Sequence, residues 1–385
     1  MKIAVLGYGT VGFGVYEMIK KAEGLEAGPV LVRAGKEDEA FKVSSIEAIV
    51  QDASVKAVAE VMGGVEPAFT YACAALKAGK HFVTSNKALV AAKGTELAKL
   101  AEENHAAFLF SAACGGGVPF LHNMALSVDS DEIFSVGGIL NGTTNFMLDN
   151  MQSSNLSYED ALADAQRLGY AEADPTADVT GLDALRKIML ACAVAFNQLP
   201  TEGLLNEGID SFTAEDVAYL KSEGLICRLI ASGGKNDDGS IHAYVEPVLF
   251  SANAAECSVK KNFNMAKYEG KNCGKIQMIG QGAGRWPTAS AVLRDLSDIC
   301  SGRMTMMKPS CSLVSAKNEG CSHCYLVRLS SDAAFPLPVK DEALSIVSGY
   351  RYFTTEEVSV SAMHACAKAL RENGVSVFFA AIGDK

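Results

Sequence analysis

The sequence predicts an α/β protein: a parallel sheet covered by helices comes first, and a mixed α+β domain follows. Three observations carry this. Short apolar runs at 3–6, 30–32, 55–61, 81–84 and 107–110 alternate with amphipathic helical stretches at the spacing of βαβ units. A glycine turn follows the first run directly and opens a helix. The pattern then changes after Gly115-Gly116-Gly117, beyond which longer strands and helices alternate irregularly.

Taken in order, the first run ends in Gly7-Tyr8-Gly9-Thr10-Val11-Gly12, and Val15, Met18 and Ile19 mark the helix that follows. Gly7 permits the tight turn, Gly9 lets a pyrophosphate approach the backbone, and Gly12 lets helix and strand pack closely. The helix N-terminus with Thr10 and Val11 then faces the phosphates. This makes the first domain a Rossmann-type parallel sheet that binds a dinucleotide. At the end of the second run stand Val32-Arg33 with Lys36 nearby, a pattern that favours a 2′-phosphate and hence NADP, while Glu37 and Asp38 leave NAD possible. Glu66-Pro67 opens a helix and Gly79 closes it. Ser85, Asn86 and Lys87 follow the 81–84 run at the C-terminal end of the sheet, where such folds bind ligands. The loop Ser111 to Pro119 leaves the fifth run through three glycines and exposes backbone carbonyls.

In the second domain, a strand at 133–140 runs into Asn141-Gly142-Thr143-Thr144-Asn145, a helix N-terminus that suits a carboxylate. Helices are predicted over 143–152, 158–168 and 182–195, with Ser157 and Asp160 as a capping box and Gly169 as a C-cap. Long strands flank a turn at Asp237-Asp238-Gly239. Between Gly169 and Lys187 lie Glu172, Asp174, Asp178 and Asp183, the first three on a Pro-broken segment that reads as loop. Asp183 and Lys187 are four apart and share a helical face, with Thr180 and Asp183 predicted to cap that helix. A well-capped helix with a surface ion pair is the plain alternative.

Composition narrows the function classes. With 45 acidic against 34 basic residues the net charge is −11, and no basic run exceeds a pair, which argues against nucleic acid. Nothing approaches an 18-residue apolar run and no signal pattern opens the chain, so no membrane partner and a cytoplasmic location are expected. Eleven scattered cysteines read as reduced thiols, and the Cys321–Cys324 spacing, without a second pair, reads as coincidence rather than half a zinc site.

The set Gly-Tyr-Gly-Thr-Val-Gly, Thr84-Ser85-Asn86-Lys87-Ala88, Gly115 to Pro119, Asn141 to Asn145, the Gly169 to Lys187 run and Gly282-Ala283-Gly284-Arg285-Trp286-Pro287-Thr288 closely resembles homoserine dehydrogenase, in order and in spacing. The resemblance covers residues 1 to about 300. It implies NAD(P)-dependent, reversible interconversion of L-homoserine and L-aspartate 4-semialdehyde, on the route to threonine, isoleucine and methionine. Carried over, it makes Lys187 the proton donor and acceptor, with Lys87 and Asp183 assisting. Glu172, Asp178, Asn141, Gly142 and Thr143 then hold the amino acid, and Gly7, Gly9, Thr10, Val11, Gly12, Arg33, Ser85, Lys87 and Gly282 hold the cofactor. A lysine near a second cation is expected to have a lowered pKa.

Family members usually have Glu where Ser111 stands, beside carbonyls corresponding to Cys114, Gly116 and Val118 that hold a monovalent cation, so the serine puts a cation in doubt. Arg285 and Trp286 are bulkier than expected near a nicotinamide. The implied domains are 1–130 for the dinucleotide, 131–305 for substrate and dimerisation with 282–300 packing back toward the cofactor, and 306–385, which faintly resembles a truncated ACT-type module. A homodimer is expected. Another aspartate-pathway reductase, acting on dihydrodipicolinate, lacks its expected basic loop here; a nucleotide-binding regulator without turnover has no need of Lys87, Glu172, Asp183 and Lys187 together.

Overall fold

Why the early strands lie in a parallel sheet is visible in their burial. Ile3, Ala4, Val5 and Leu6 are fully buried, as are Ala57, Val58 and Ala59 two strands later in the chain, so both faces of each strand are covered. In the computed structural model, which describes residues 1–330, 333–347 and 349–383, the chain divides into two compact units. The first comprises Met1–Phe134, Met189–Leu199 and Tyr268–Val314. Its sheet contains β1 (Lys2–Leu6), β2 (Glu26–Leu31), β3 (Lys42–Val43), β4 (Val55–Glu60), β5 (His81–Thr84) and β6 (Phe108–Leu109), in the order β3-β2-β1-β4-β5-β6. Every pairing is parallel.

The order reverses between β1 and β4, which creates the switch point where open α/β sheets bind ligands. The sequence reading missed β3, because a two-residue edge strand beside a run of charged residues has no periodicity to detect. The helix Arg285–Cys300 belongs to this unit and lies against the helix Thr10–Ile19. A Cβ added to Gly14 would come within 2.9 Å of Arg285 Cγ and 3.3 Å of Ala289 Cβ, so glycine is what lets the two helices approach.

The second unit comprises Ser135–Ile188, Pro200–Lys267 and Ser315–Lys385. Its long strands Leu225–Lys235 and Ile241–Ser251 form an antiparallel hairpin in continuous register from Leu225↔Ser251 to Lys235↔Ile241. Ile133–Ile139 pairs antiparallel on one side of that hairpin, and Val377–Ile382 pairs parallel on the other through Val248↔Ala381 and Leu249↔Ile382. The sheet continues through Tyr325–Ser330 and Tyr350–Thr355 to Val339–Val347. Residues 315–385 are thus joined to the rest of the unit strand to strand. Their four main strands, numbered along the chain, lie in the order 4-1-3-2, with the helix Val360–Glu372 between the third and fourth. Among the described residues no helix joins the first two, so the arrangement is a β-α-β-β-α-β module short of one helix.

Helices Gly142–Ser154, Tyr158–Arg167 and Leu182–Phe196 fall where their apolar spacing put them. Two local expectations are corrected. Asp178 lies in a short helix, Thr176–Val179, rather than in loop, because Asp174 Oδ1 accepts from both the backbone N–H (3.1 Å) and the hydroxyl (2.6 Å) of Thr176 and starts a turn there. Thr180 does not cap the next helix; it ends the short one, its hydroxyl donating to Thr176 O at 2.7 Å, and Asp183 turns to other partners.

Candidate active site

The nucleotide fingerprint has the shape its glycines predict. Gly7 has a positive φ of 96°, and a Cβ on Gly12 would fall 2.0 Å from Gly7 O, so neither position tolerates a side chain. A Cβ on Gly9 would meet nothing within 4 Å, which leaves open space over the turn at the start of the helix Thr10–Ile19. That space opens on a cleft of about 780 Å³ whose lining includes Gly7, Gly9, Val32, Arg33, Lys36 and Met62. A fingerprint turn at a helix N-terminus, beside a cleft of this size, fits a nicotinamide dinucleotide.

Arg33 and Lys36 are exposed at the mouth of the cleft, with Asp38 beside them. The sequence reading missed Lys42, on β3. Its Nζ lies 2.6 Å from Asp38 Oδ1 and 2.8 Å from Glu39 Oε1, and 4.9 Å from the centre of the Tyr8 ring. Lys42 therefore pairs with Asp38, one of the two acids that stood as rivals to Arg33, and with Glu39, while Glu37 finds its side-chain partner in Ser44. The carboxylate of Glu60, fully buried at the end of β4, was also missed. It accepts from Met62 N–H (2.6 Å) and Thr84 Oγ (2.5 Å), and burial pushes its pKa up. An acid directly after the apolar run Ala57-Val58-Ala59 was its only signal. Ser85 is tied in here as well, its N–H donating to Glu60 O.

Lys87 begins the helix Lys87–Glu103, capped by Asn86, whose side chain accepts from Leu89 N–H and donates to Gly64 O. In the same unit Gly116 and Gly282 meet back to back: a Cβ on Gly116 would lie 2.5 Å from Gly282 O, and Gly117 N–H donates to Gln281 O. Ser111 is buried and bonded twice to Asp295, its N–H donating to Oδ2 at 2.9 Å and its hydroxyl to Oδ1 at 2.5 Å. Burial raises the Asp295 carboxyl to about 7. Cys114, Gly116 and Val118 follow on the turn, and Val118 O accepts from Phe120 N–H at 2.8 Å. Arg285 directs its bulk over Phe13, 5.3 Å from the ring centre, and Trp286 is half exposed.

In the second unit the predicted substrate residues converge. Asn141 caps the helix Gly142–Ser154 through its side-chain oxygen. Its Nδ2 donates to Asp178 Oδ1 at 2.7 Å and to Asp183 Oδ2 at 2.8 Å. Lys187 Nζ lies 2.7 Å from the same Asp183 oxygen and donates to Leu140 O at 2.6 Å. Thr143 Oγ donates to Asp178 Oδ2 at 3.2 Å and to Tyr170 O at 2.6 Å. A Cβ on Gly142 would fall 2.7 Å from Asn262 O, which explains the glycine. Asp183 and Lys187 are each under 9% exposed, which rules out the surface ion pair. Asp178 has a raised pKa, chiefly because it is buried. Beside Lys187 in this unit stands the anion Asp183, on the helical face that the spacing of four predicts. Glu172 is exposed on the adjoining loop and stands outside this hydrogen-bonded cluster.

Hydride exchange at a carbinol carbon needs a bound dinucleotide and a group that moves a proton at oxygen. The Gly7–Gly12 turn suits the first requirement and a buried, oriented lysine can meet the second, so fold and site together describe a nicotinamide-dependent oxidoreductase. The family follows from similarity. Residues 7–111 match the NAD-binding domain of homoserine dehydrogenase and residues 119–297 match homoserine dehydrogenase itself. The chain is 40% identical over 313 residues to homoserine dehydrogenase of Corynebacterium glutamicum, covering 76% of this chain and 70% of that one. It is 37% identical over 316 residues to that of Synechocystis sp., covering 78% and 73%. The structure of a homoserine dehydrogenase from Thiobacillus denitrificans superposes with a TM-score of 0.87 at 27% identity, over 100% of this chain and 98% of that one. A hyperthermophilic archaeal homoserine dehydrogenase mutant, solved in complex with NADPH, gives 0.67 at 26% identity over 78% and 98%. The chain belongs to the homoserine dehydrogenase family and is an NAD(P)-dependent oxidoreductase acting on the CH–OH group.

Proposed function

We propose that the enzyme uses NADP(H) in preference to NAD(H), that Lys187 moves the proton at the substrate oxygen, and that Asp178 holds the substrate ammonium. The observation that carries this reading is the chain of polar contacts Leu140 O, Lys187, Asp183, Asn141 and Asp178, buried up to the part-buried Asp178, which fixes one cation and two carboxylates side by side. The bound nicotinamide supplies or accepts the hydride. When hydride reaches the aldehyde carbon, negative charge grows on its oxygen; the Lys187 ammonium stabilises that charge and gives up a proton, and in the reverse direction the amine takes it back. Asp183 and Leu140 O aim the lysine. Lys87, at the N-terminus of its helix in the first unit, keeps the assisting role that the resemblance implies. Asn141, Gly142 and Thr143 supply the polar rim, and the ammonium falls to Asp178 rather than to the exposed Glu172.

NADP preference is supported by Arg33, Lys36 and Lys42, three cations by the cleft, two of its nearby acids being paired with Lys42. The NADPH complex of the archaeal relative agrees with it. The turn after Ser111 offers a cation no side-chain anion at that position, since the serine is neutral and its proton goes to Asp295, which leaves only backbone carbonyls for weak coordination. No step is assigned to one. A homodimer in the cytoplasm completes the reading. It is tested by initial rates of L-homoserine-dependent nicotinamide reduction with NADP and NAD compared and sodium, potassium or a bulky organic cation as counter-ion. Saturation with homoserine, a lower KM for NADP and indifference to the cation support it; a preference for NAD or a requirement for sodium or potassium removes the corresponding part.

A further inference from the structure

The helix Val360–Glu372 carries Arg371, which forms a bidentate pair with Glu207. Nη1 donates to Glu207 Oε2 at 2.9 Å and Nη2 to Oε1, and Nη2 also reaches Val377 O at 3.3 Å. Glu207 is 6% exposed while the Arg371 side chain keeps 38% of its surface in solvent, so this is a part-buried fork-to-fork contact of the kind that fixes geometry as well as contributing energy.

Glu207 sits in a segment pressed against the substrate loop. Its own N–H donates to Val245 O at 2.7 Å, and the preceding strand Leu205–Asn206 pairs with Tyr244 and Val245. Asn206 Nδ2 donates to Thr180 O at 2.7 Å and Ile209 N–H donates to Val179 O at 2.8 Å. Between them a Cβ on Gly208 would lie 2.0 Å from Val179 O, and one on Gly181 would lie 3.3 Å from Glu207 O. The backbones of 206–209 and 179–181 are therefore interlocked with no room for slippage. Val179 directly follows Asp178, and Gly181 stands two residues before Asp183. The hydrogen-bonded path thus runs from the C-terminal helix to the backbone carbonyls of Val179 and Thr180, one residue after Asp178 and three before Asp183.

We propose that Arg371 is a positioning residue for substrate binding: through Glu207 it fixes segment 206–209, which in turn holds Asp178 and Asp183 in register with Lys187. The C-terminal segment is then a brace for the substrate loop. The proposal rests on the reading of Asp178 as a substrate ligand, and the test separates the two. In the full-length enzyme, Arg371→Met is expected to raise the KM for homoserine about tenfold, equal to about 1.4 kcal/mol, while kcat changes much less. The dissociation constant for NADPH, read by fluorescence in the absence of homoserine, stays unchanged. Glu207→Gln, which keeps the shape and removes the charge, gives the same pattern should Arg371→Met fold poorly, and Arg371→Lys restores part of the affinity. An unchanged KM in a folded Arg371→Met enzyme, alongside a raised KM in Asp178→Asn, overturns the brace and leaves the substrate reading standing. An unchanged KM in both variants overturns the substrate reading, and the brace with it. A parallel loss of homoserine affinity, NADPH affinity and kcat marks general destabilisation and also overturns it.

Discussion

Lys187 Nζ and Asp183 Oδ2 are 2.7 Å apart on adjacent turns of one helix, both buried. Most i,i+4 ion pairs lie in water and contribute little. A buried pair is costly to break and holds each group in a single geometry, which a proton-transferring lysine requires.

If Lys42 silences Asp38 and Glu39, removing it returns two anions to the rim of the cofactor cleft. Lys42→Met is expected to raise the KM for NADP by about tenfold or more and to leave that for NAD within about twofold, since a 2′-phosphate is repelled and a 2′-hydroxyl is not. Steady-state kinetics with both cofactors checks this; equal changes for the two would mean that Lys42 only supports the fold.

Asp178 must be ionised to hold an ammonium group. Burial raises its pKa above the ordinary 3.8, so the anion begins to be lost at a higher pH than for an exposed aspartate. The KM for homoserine is expected to rise as pH falls through that raised value while the Kd for NADPH stays level. Asp178→Asn should raise the KM at every pH, by about 10- to 100-fold for a lost charge-assisted contact, and abolish the acid limb.

Asp295 makes a statement about stability. Its folded-state carboxyl titrates near 7 against 3.8 for the ordinary group, because full burial outweighs the two hydrogen bonds from Ser111. Between those values the folded protein keeps a proton that the unfolded chain has released. Stability from this group is therefore full below about 3.8 and is lost as pH rises through about 7. Asp295→Asn should flatten the fall in Tm from pH 5 to pH 8, measured by calorimetry; an unaltered slope would place the proton elsewhere.

Much of this was legible in the chain. The fingerprint turn, the βαβ alternation and the 182–196 helix follow from glycine placement and apolar spacing, which are local signals. The Asp183–Lys187 pair could be read from a spacing of four residues. Three things were not legible, the first because its strand is too short to show a period and the other two because they depend on residues distant in sequence. Lys42 acts on a strand of only two residues, Ser111 meets a carboxylate 184 positions on, and Glu207 meets an arginine 164 positions on. The predicted Thr180–Asp183 cap failed likewise, because Asn141, more than 40 residues upstream, takes the Asp183 carboxylate.

The most direct test of the account is the turnover of Lys187→Met with saturating L-homoserine and NADP. The account predicts that kcat falls by about 100-fold or more, as expected for loss of a general acid–base group, with the NADPH dissociation constant unchanged and the KM for homoserine altered only modestly. A kcat close to that of the unaltered enzyme would contradict it and move the proton transfer to another group.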